Sequence, residues 1–343
     1  MKIITAQDVH RALDFNCLIE ALRCQFSAPS SAPKRQVYPL DAAGSHDAFA
    51  LLPAWDVHSI AVKAFTYLPD NPSNNPGCQS LYSQILLFCR QTGVPEALID
   101  GTSVTYWRTA AVSALASSYL SRSDSKRLLI FGTGNLAPFM ALAHAAVRPI
   151  DEIRVIGRNR QSVDKTCANI REQRPDIDIR PGDAARDVPW ADIISCATGS
   201  PVPLFPGSWV SAGTHTDFVG NHHQNCRECD TELVLSAQVF VDSRINVFAE
   251  AGELLLPVQE GRFELGSVRA ELSELCRDRI SSEKSSSEKP CSDELSNSNR
   301  STAPWRTSPS DITLFKSVGS ALADLAAARL VYQRLGDMTS ANE

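Results

Sequence analysis

The chain contains no apolar run of about 18 residues or more, so no segment reads as a membrane-spanning helix. Its start, "MKIITAQDVHRALDF", places Asp8, Arg11 and Asp14 where an export signal would need an unbroken apolar stretch. Nor is there a charge excess to draw it to nucleic acid or anionic lipid: 33 Lys and Arg oppose 39 Asp and Glu, a formal net charge of −6. Its ten cysteines lack the spacing of a disulfide framework, which points to reduced thiols in a cytoplasmic protein. No internal repeat is present. What remains is a globular protein of 343 residues, 43% hydrophobic, enough for one large core or two smaller ones.

Three regions differ in character. Residues 1–120 open on a helical pattern (Val9, Leu13, Leu18, Ile19, Leu22, Phe26). Strand-like runs "AFALLPAW", "SIAVKAFTYL" and "LYSQILLFC" follow, separated by clusters such as "PDNPSNNPG". With no helix between them, these runs predict an antiparallel or mixed sheet. From residue 127 the order becomes strand, helix, strand ("RLLIFG", "APFMALAHAAV", "EIRVIG"), as in parallel βαβ units. Residues 273–310 are rich in Ser, Glu and Lys and read as a solvated loop. The closing "DITLFKSVGSALADLAAARLVYQRL" reads as a helix with an apolar stripe at Val318, Leu322, Leu325, Ala326 and Leu330.

The clearest motif is "LLIFGTGNLAPFM". An apolar strand leads into Gly132, Thr133, Gly134, Asn135 and Leu136, and a helix follows. Gly132 permits the tight turn, Gly134 lets the backbone approach a pyrophosphate, and Ala137 stays small so that helix and strand pack. The next strand ends "VIGRNR", where an NAD site would offer a carboxylate to the ribose. Arg158, Asn159 and Arg160 stand there instead and would attract a 2′-phosphate, so NADPH is expected as the preferred cofactor, with NADH possible. The alternative is a pair of exposed arginines at a helix start.

Lys63 is the only charge in the alternating run "SIAVKAFT". It is either a protective lysine on an edge strand or a lysine enclosed by apolar strands, whose lowered pKa suits proton transfer. Arg108 reads as the opening of a helix "RTAAVSALASSYL" with Thr105 as N-cap, a place where guanidinium and helix dipole would together receive a carboxylate. Arg35, in "PKRQVYP", is a weaker candidate for a second such contact. "VGNHHQNCREC" (219–229) raises zinc or a redox dithiol. With His215 it offers five ligand-type side chains, but only one Cys-x-x-Cys where structural zinc sites usually use two such pairs, so no metal is expected.

The stretches "ALIDGTSVTYWRTAAVSALASSYL", "GTGNLAPFMALAHAAVRPIDEIRVIGRNR", "DIISCATGSPVPLF", "VDSRINVFAEAGEL" and "DITLFKSVGSALADLAAARL" together resemble the ornithine cyclodeaminase/mu-crystallin family. Within it, "LAPFMALAHAAVRPI" is most similar to the Δ1-pyrroline-2-carboxylate and Δ1-piperideine-2-carboxylate reductases. The resemblance implies an α/β protein in two parts: a Rossmann-type parallel-sheet domain over 123–307, with a Ser-rich loop near 277–308, and a mixed α+β domain for substrate binding and dimerisation. The second comprises residues 1–122 and a closing helix in 308–343. It implies a homodimer and a small cyclic imino-acid substrate. It places Lys63 at the substrate, as carboxylate contact or proton-transfer group, Thr198 along the cofactor, and Ser317, Val318 and Gly319 near the nicotinamide. In cyclodeaminases the 219–222 loop reads roughly Val-Gly-Gly-Asp, and its Asp is the acid/base group; here His222 stands in that place and faces the substrate. A glutamate expected three residues before Pro53 is replaced by Ala50. These departures favour hydride transfer to a cyclic ketimine over ammonia loss. Another family activity, such as cyclodeaminase or amino-acid dehydrogenase, and a non-catalytic mu-crystallin-like binder are the alternatives. The proton source stays open among Lys63, His222 and water.

Overall fold

The structure, a computed structural model, describes residues 1–40, 47–277 and 305–340. The Ser-rich loop expected near 277–308 lies almost wholly outside the described residues. The chain divides into two compact units, Met1–Val112 with Gly319–Glu343, and Ser113–Val318. Contacts thus place the first boundary inside the helix Gly101–Leu120, ahead of residue 122, and the return to the first unit at Gly319 rather than 308.

The first unit is built on a mixed six-stranded sheet. Its strands are β1 (Lys2–Ile4), β2 (Gln36–Pro39), β3 (Ala48–Trp55), β4 (Ser59–Tyr67), β5 (Leu81–Cys89) and β6 (Pro95–Asp100), in the order β1-β6-β5-β4-β3-β2. Among these described strands only the β1–β6 pair is parallel; the rest are antiparallel neighbours. Period-2 patterning sends Ser59, Ala61 and Lys63 of β4 to the buried face. That face is covered by the helix Ala321–Ser340, packed on β3, β4 and β5, and the helix Phe15–Ser27 packs against that helix. Alanine-rich spacing lets the last helix approach closely, and Ala323, Leu325, Ala327 and Val331 are all buried. Burial therefore reaches well round this helix, and of the expected stripe only Leu325 and Ala326 are fully buried.

The second unit is a Rossmann-type parallel sheet of eight strands. They are β7 (Arg127–Phe131), β8 (Glu152–Ile156), β9 (Asp178–Pro181), β10 (Ile193–Cys196), β11 (His215–Phe218), β12 (Ala237–Val241), β13 (Ala270–Glu271) and β14 (Ile312–Lys316). The order is β13-β12-β14-β11-β10-β7-β8-β9. From β7 the chain winds outward through β8 and β9, then returns to lay β10 on the other side, so the topological switch point falls between β7 and β10. Leu128, Leu129, Ile130 and Phe131 are all buried, as a central parallel strand covered on both faces requires. One expectation is corrected: "ITLFK" is not the head of the closing helix. It is β14, lying between β11 and β12, and the helix starts at Ala321.

Candidate active site

Lys63 lies on an internal strand, paired on both sides, with Leu52 and Ile85 as its cross-strand neighbours. The edge-strand reading therefore fails. Its side chain is 2% exposed, and its Nζ donates to Thr105 Oγ1 at 2.6 Å and to Asp324 Oδ1 at 3.2 Å. A lysine ammonium carries three donors, so one remains for a ligand. Burial pulls the Lys63 pKa down to about 8; Asp324 opposes that pull, while the charges of Arg108 and Arg35 add to it.

Arg108 shares the same acceptor, its Nε donating to Asp324 Oδ1 at 3.1 Å. Among the described residues neither of its terminal nitrogens carries a hydrogen bond, so one edge of the guanidinium fork is uncommitted. Gly319 stands against that end with φ +92°, and a Cβ there would come within 3.0 Å of an Arg108 terminal nitrogen. The expected helix start at Arg108 is corrected. The helix begins at Gly101, Asp100 caps it by accepting from the Ser103 amide at 2.7 Å, and Thr105 is an interior residue whose hydroxyl donates to the Gly101 carbonyl. Arg108 is thus a second-turn residue, away from the helix terminus, and what it offers an anion is the guanidinium fork alone.

Sequence reading brought Lys63, Arg108 and Arg35 to one place but missed Asp324, which holds the first two together. The signal was a lone carboxylate in the Ala/Leu run "ALADLAAARL"; Asp324 is 1% exposed, and among the described residues its Oδ2 has no hydrogen-bond partner. A buried acid of that kind calls for buried cations.

In the second unit the glycine turn follows β7. Gly132 has φ +122°, and a Cβ there would lie 2.6 Å from the Ala197 carbonyl oxygen; at Gly134 nothing lies within 4 Å of the Cβ position. Thr133 packs against Gly157, Asn135 stands at the N-cap, and Leu136 begins the helix Leu136–Val147. A tight turn, an open backbone face and a helix N-terminus at the switch point fit a dinucleotide pyrophosphate.

At the end of β8 the three expected phosphate contacts separate. Asn159 caps the next helix by accepting from the Ser162 amide at 3.0 Å, and Arg160 pairs with Asp164 at 3.1 Å on the surface. Arg158 is exposed and makes no ion pair among the described residues. Thr198 donates from both its amide and its hydroxyl to Glu228, at 2.7 and 2.8 Å. Ser317 Oγ and the Val318 amide both donate to Asp242 Oδ2, at 2.7 and 3.2 Å.

In the 219–229 loop the His222 ring lies 4.5 Å from that of His223, and Cys229 is buried in the core beside Leu233 and Val234. His215 belongs to β11 and its Nδ1 meets Thr313 Oγ1 at 2.9 Å. Among the described residues no three His, Cys, Asp or Glu side chains are grouped to hold a metal ion.

A Rossmann-type sheet with a glycine turn at its switch point, joined in one chain to a mixed α+β unit bearing a buried Lys–Arg–Asp cluster, defines the class. The chain belongs to the ornithine cyclodeaminase/mu-crystallin family, which residues 2–339 match. The Δ1-pyrroline-2-carboxylate reductase of Colwellia psychrerythraea is 47% identical over 342 residues, covering 98% of this chain and 100% of that one. The enzyme of the same name from Paracoccus denitrificans is 32% identical over 270 residues, 78% of this chain and 77% of that one. Among solved structures, the Thermococcus litoralis Δ1-pyrroline-2-carboxylate reductase in complex with NADH and L-proline matches with a TM-score of 0.87 at 28% identity. That match covers 99% of this chain and 98% of the other.

Proposed function

We propose that the chain reduces Δ1-pyrroline-2-carboxylate to L-proline, and Δ1-piperideine-2-carboxylate to L-pipecolate, with a nicotinamide dinucleotide. The observation that carries this reading is the cluster around Asp324 Oδ1, which orients both Lys63 and Arg108 and leaves the terminal nitrogens of Arg108 for an anion. The 47% identity to a Δ1-pyrroline-2-carboxylate reductase over almost the whole chain supports the same assignment. Arg108 receives the carboxylate of the cyclic ketimine through two N–H groups, with Arg35 adding positive charge. The reduced nicotinamide, when bound, supplies the hydride to the C=N carbon. Lys63, near neutrality in its proton affinity, gives a proton to the imine nitrogen and makes the adjacent carbon more electrophilic. Ala50, fully buried on β3, offers no carboxylate for handling the amines of ornithine.

Three finer features belong to the same reading. NADPH is preferred over NADH through Arg158. Two copies associate through the first unit, where Val37 and Tyr38 stand about half exposed on the edge strand β2. The protein resides in the cytoplasm, in keeping with the free state of its cysteines among the described residues. No described helix is long and apolar enough to cross a membrane. The deciding assay follows NADPH and NADH oxidation with each ketimine, beside ammonia release from ornithine with NAD. Ornithine turnover at a comparable rate would overturn the assignment.

A further inference from the structure

The loops that leave β10 and β11 are joined by one buried carboxylate. Glu228 is fully buried, and its Oε1 accepts from the Thr198 amide at 2.7 Å and the Thr198 hydroxyl at 2.8 Å. Its Oε2 accepts from the Gly220 amide at 2.8 Å. The last ladder bond of β11 is Val219 N to Cys196 O, so beyond that point Glu228 replaces the sheet as what holds the two segments in register. A second buried layer lies behind it. The Glu228 amide donates to Glu253 Oε1 at 3.2 Å, Glu253 faces Lys316 Nζ at 3.0 Å, and Lys316 donates to the Asn221 carbonyl at 2.7 Å. The Asn221 amide group also donates to the Ser200 carbonyl. There is no slack in this packing, since a Cβ on Gly220 would stand 2.0 Å from the Thr198 carbonyl oxygen.

In an open parallel sheet a ligand lies outside the carboxyl ends of the strands, at the switch point, which is where the loop after β10 stands. Resting on the reading of the second unit as a nicotinamide dinucleotide site, we infer that Glu228 is a positioning residue for the cofactor. Ionised, it fixes the loops after β10 and β11 in the arrangement that receives the dinucleotide; protonated, it releases one of them.

The chemistry follows from the donor set. A carboxylate only accepts, the Thr198 and Gly220 amides facing Glu228 only donate, and the Thr198 hydroxyl, which accepts from the Ser200 amide at 3.2 Å, is the one group there that can do both. A proton on Oε2 faces the Gly220 amide and that bond is lost; a proton on Oε1 is taken only if the Thr198 hydroxyl turns round, which gives up its own donation to Glu228. Burial raises the Glu228 pKa to about 7, with Glu253 adding to the rise and Lys316 opposing it, so both forms are reached near neutrality. The other titratable groups that feel its charge are the thiols of Cys196 and Cys229. Burial holds both thiols well above their usual range, so they stay neutral.

The test measures the NADH dissociation constant of the full chain by fluorescence, without substrate, from about pH 6 to about pH 8.5. Glu228→Gln is the partner variant: it is isosteric, but its amide nitrogen must face either Thr198 or Gly220. In the unsubstituted protein NADH should bind about tenfold more tightly at the alkaline end, with a midpoint near 7, the size of one charge-assisted hydrogen bond. Glu228→Gln should bind weakly across the range with a flat profile, and its KM for NADH should rise more than its kcat falls. A folded Gln variant that keeps both affinity and slope would overturn the inference, assigning the slope to another titrating group. If the variant does not fold, the unsubstituted profile decides alone: NADH binding that is flat with pH overturns the inference and leaves the cofactor reading standing. No NADH binding at any pH overturns both.

Discussion

Lys63 Nζ and Asp324 Oδ1 meet at 3.2 Å with 2% side-chain exposure each, although 261 residues separate them in sequence. Two groups taken so completely out of water are retained only if each has its partner, and removing one leaves the other stranded. Asp324 raises the proton affinity of Lys63 against the burial that lowers it, so the pair sets the pH at which the lysine holds its proton.

If protonated Lys63 is the working form, kcat/KM holds below about pH 8 and falls as pH rises through that value. Asp324→Asn removes the group that raises the lysine pKa, so this alkaline limb moves to lower pH. Paired pH–rate profiles with Δ1-pyrroline-2-carboxylate check it, because the titration of the substrate is common to both proteins. An unmoved limb assigns the proton to another group.

Arg108→Ala removes the receptor for the substrate carboxylate and should lower kcat/KM by a factor corresponding to about 2–5 kcal/mol. Arg108→Lys should recover little, because a single ammonium cannot reproduce the fork that reaches Asp324 on one edge and substrate on the other. Steady-state kinetics of the two variants, with NADPH saturating, give the comparison.

Arg158→Ala should raise the KM for NADPH roughly tenfold more than that for NADH, the effect of one charge-assisted contact to a 2′-phosphate. Arg160→Ala should do much less, because Arg160 already pairs with Asp164. Equal losses with both cofactors from Arg158→Ala would make that arginine structural.

His215 is buried in β11, and burial holds its pKa well below the usual histidine value of 6.5, with His144 acting in the same direction. In the unfolded chain the ring takes up a proton near 6.5, while in the folded protein it stays neutral to lower pH. The stability that the neutral ring contributes is therefore full above about 6.5 and is lost as pH falls below it. Melting temperature should decline from about pH 7 to about pH 5, and His215→Gln should flatten that part of the curve.

Cys226→Ser should be nearly silent, and purified protein should hold well under one zinc per chain. Cys229→Ser puts a hydroxyl into the core beside Leu233 and should cost about 1–3 kcal/mol in denaturant melts while leaving KM values in place. Stoichiometric zinc, or a folded Cys229→Ser protein without activity, would restore the metal reading of the loop.

The elements legible in the sequence were those whose signal is local. The Gly132 turn needs only a strand before it and a helix after it, and Lys63 was visible because alternation put one charge among buried positions. β14 was misread because a five-residue run, Ile312–Lys316, carries no decisive period, and a helix-forming Ala/Leu run follows shortly after. The start of the helix at Gly101 was missed because "DGTSVTYW" looks like a loop, yet the Asp100 side chain accepts from the Ser103 amide and closes the first turn. Asp324 and Glu228 were out of reach for a different reason. Their meaning lies in partners such as Lys63 and Thr198, distant in sequence and brought near only by the topology.

The helix Ala321–Ser340 covers β3, β4 and β5, yet it follows the whole of the second unit in the chain. During synthesis the sheet of the first unit leaves the ribosome with its apolar face uncovered and with Lys63 and Arg108 lacking Asp324. The parallel sheet, by contrast, has all its strands once Lys316 has emerged. The last element the chain supplies is therefore the helix that carries Asp324, so Lys63 and Arg108 gain their shared carboxylate only after every strand of the parallel sheet has been made.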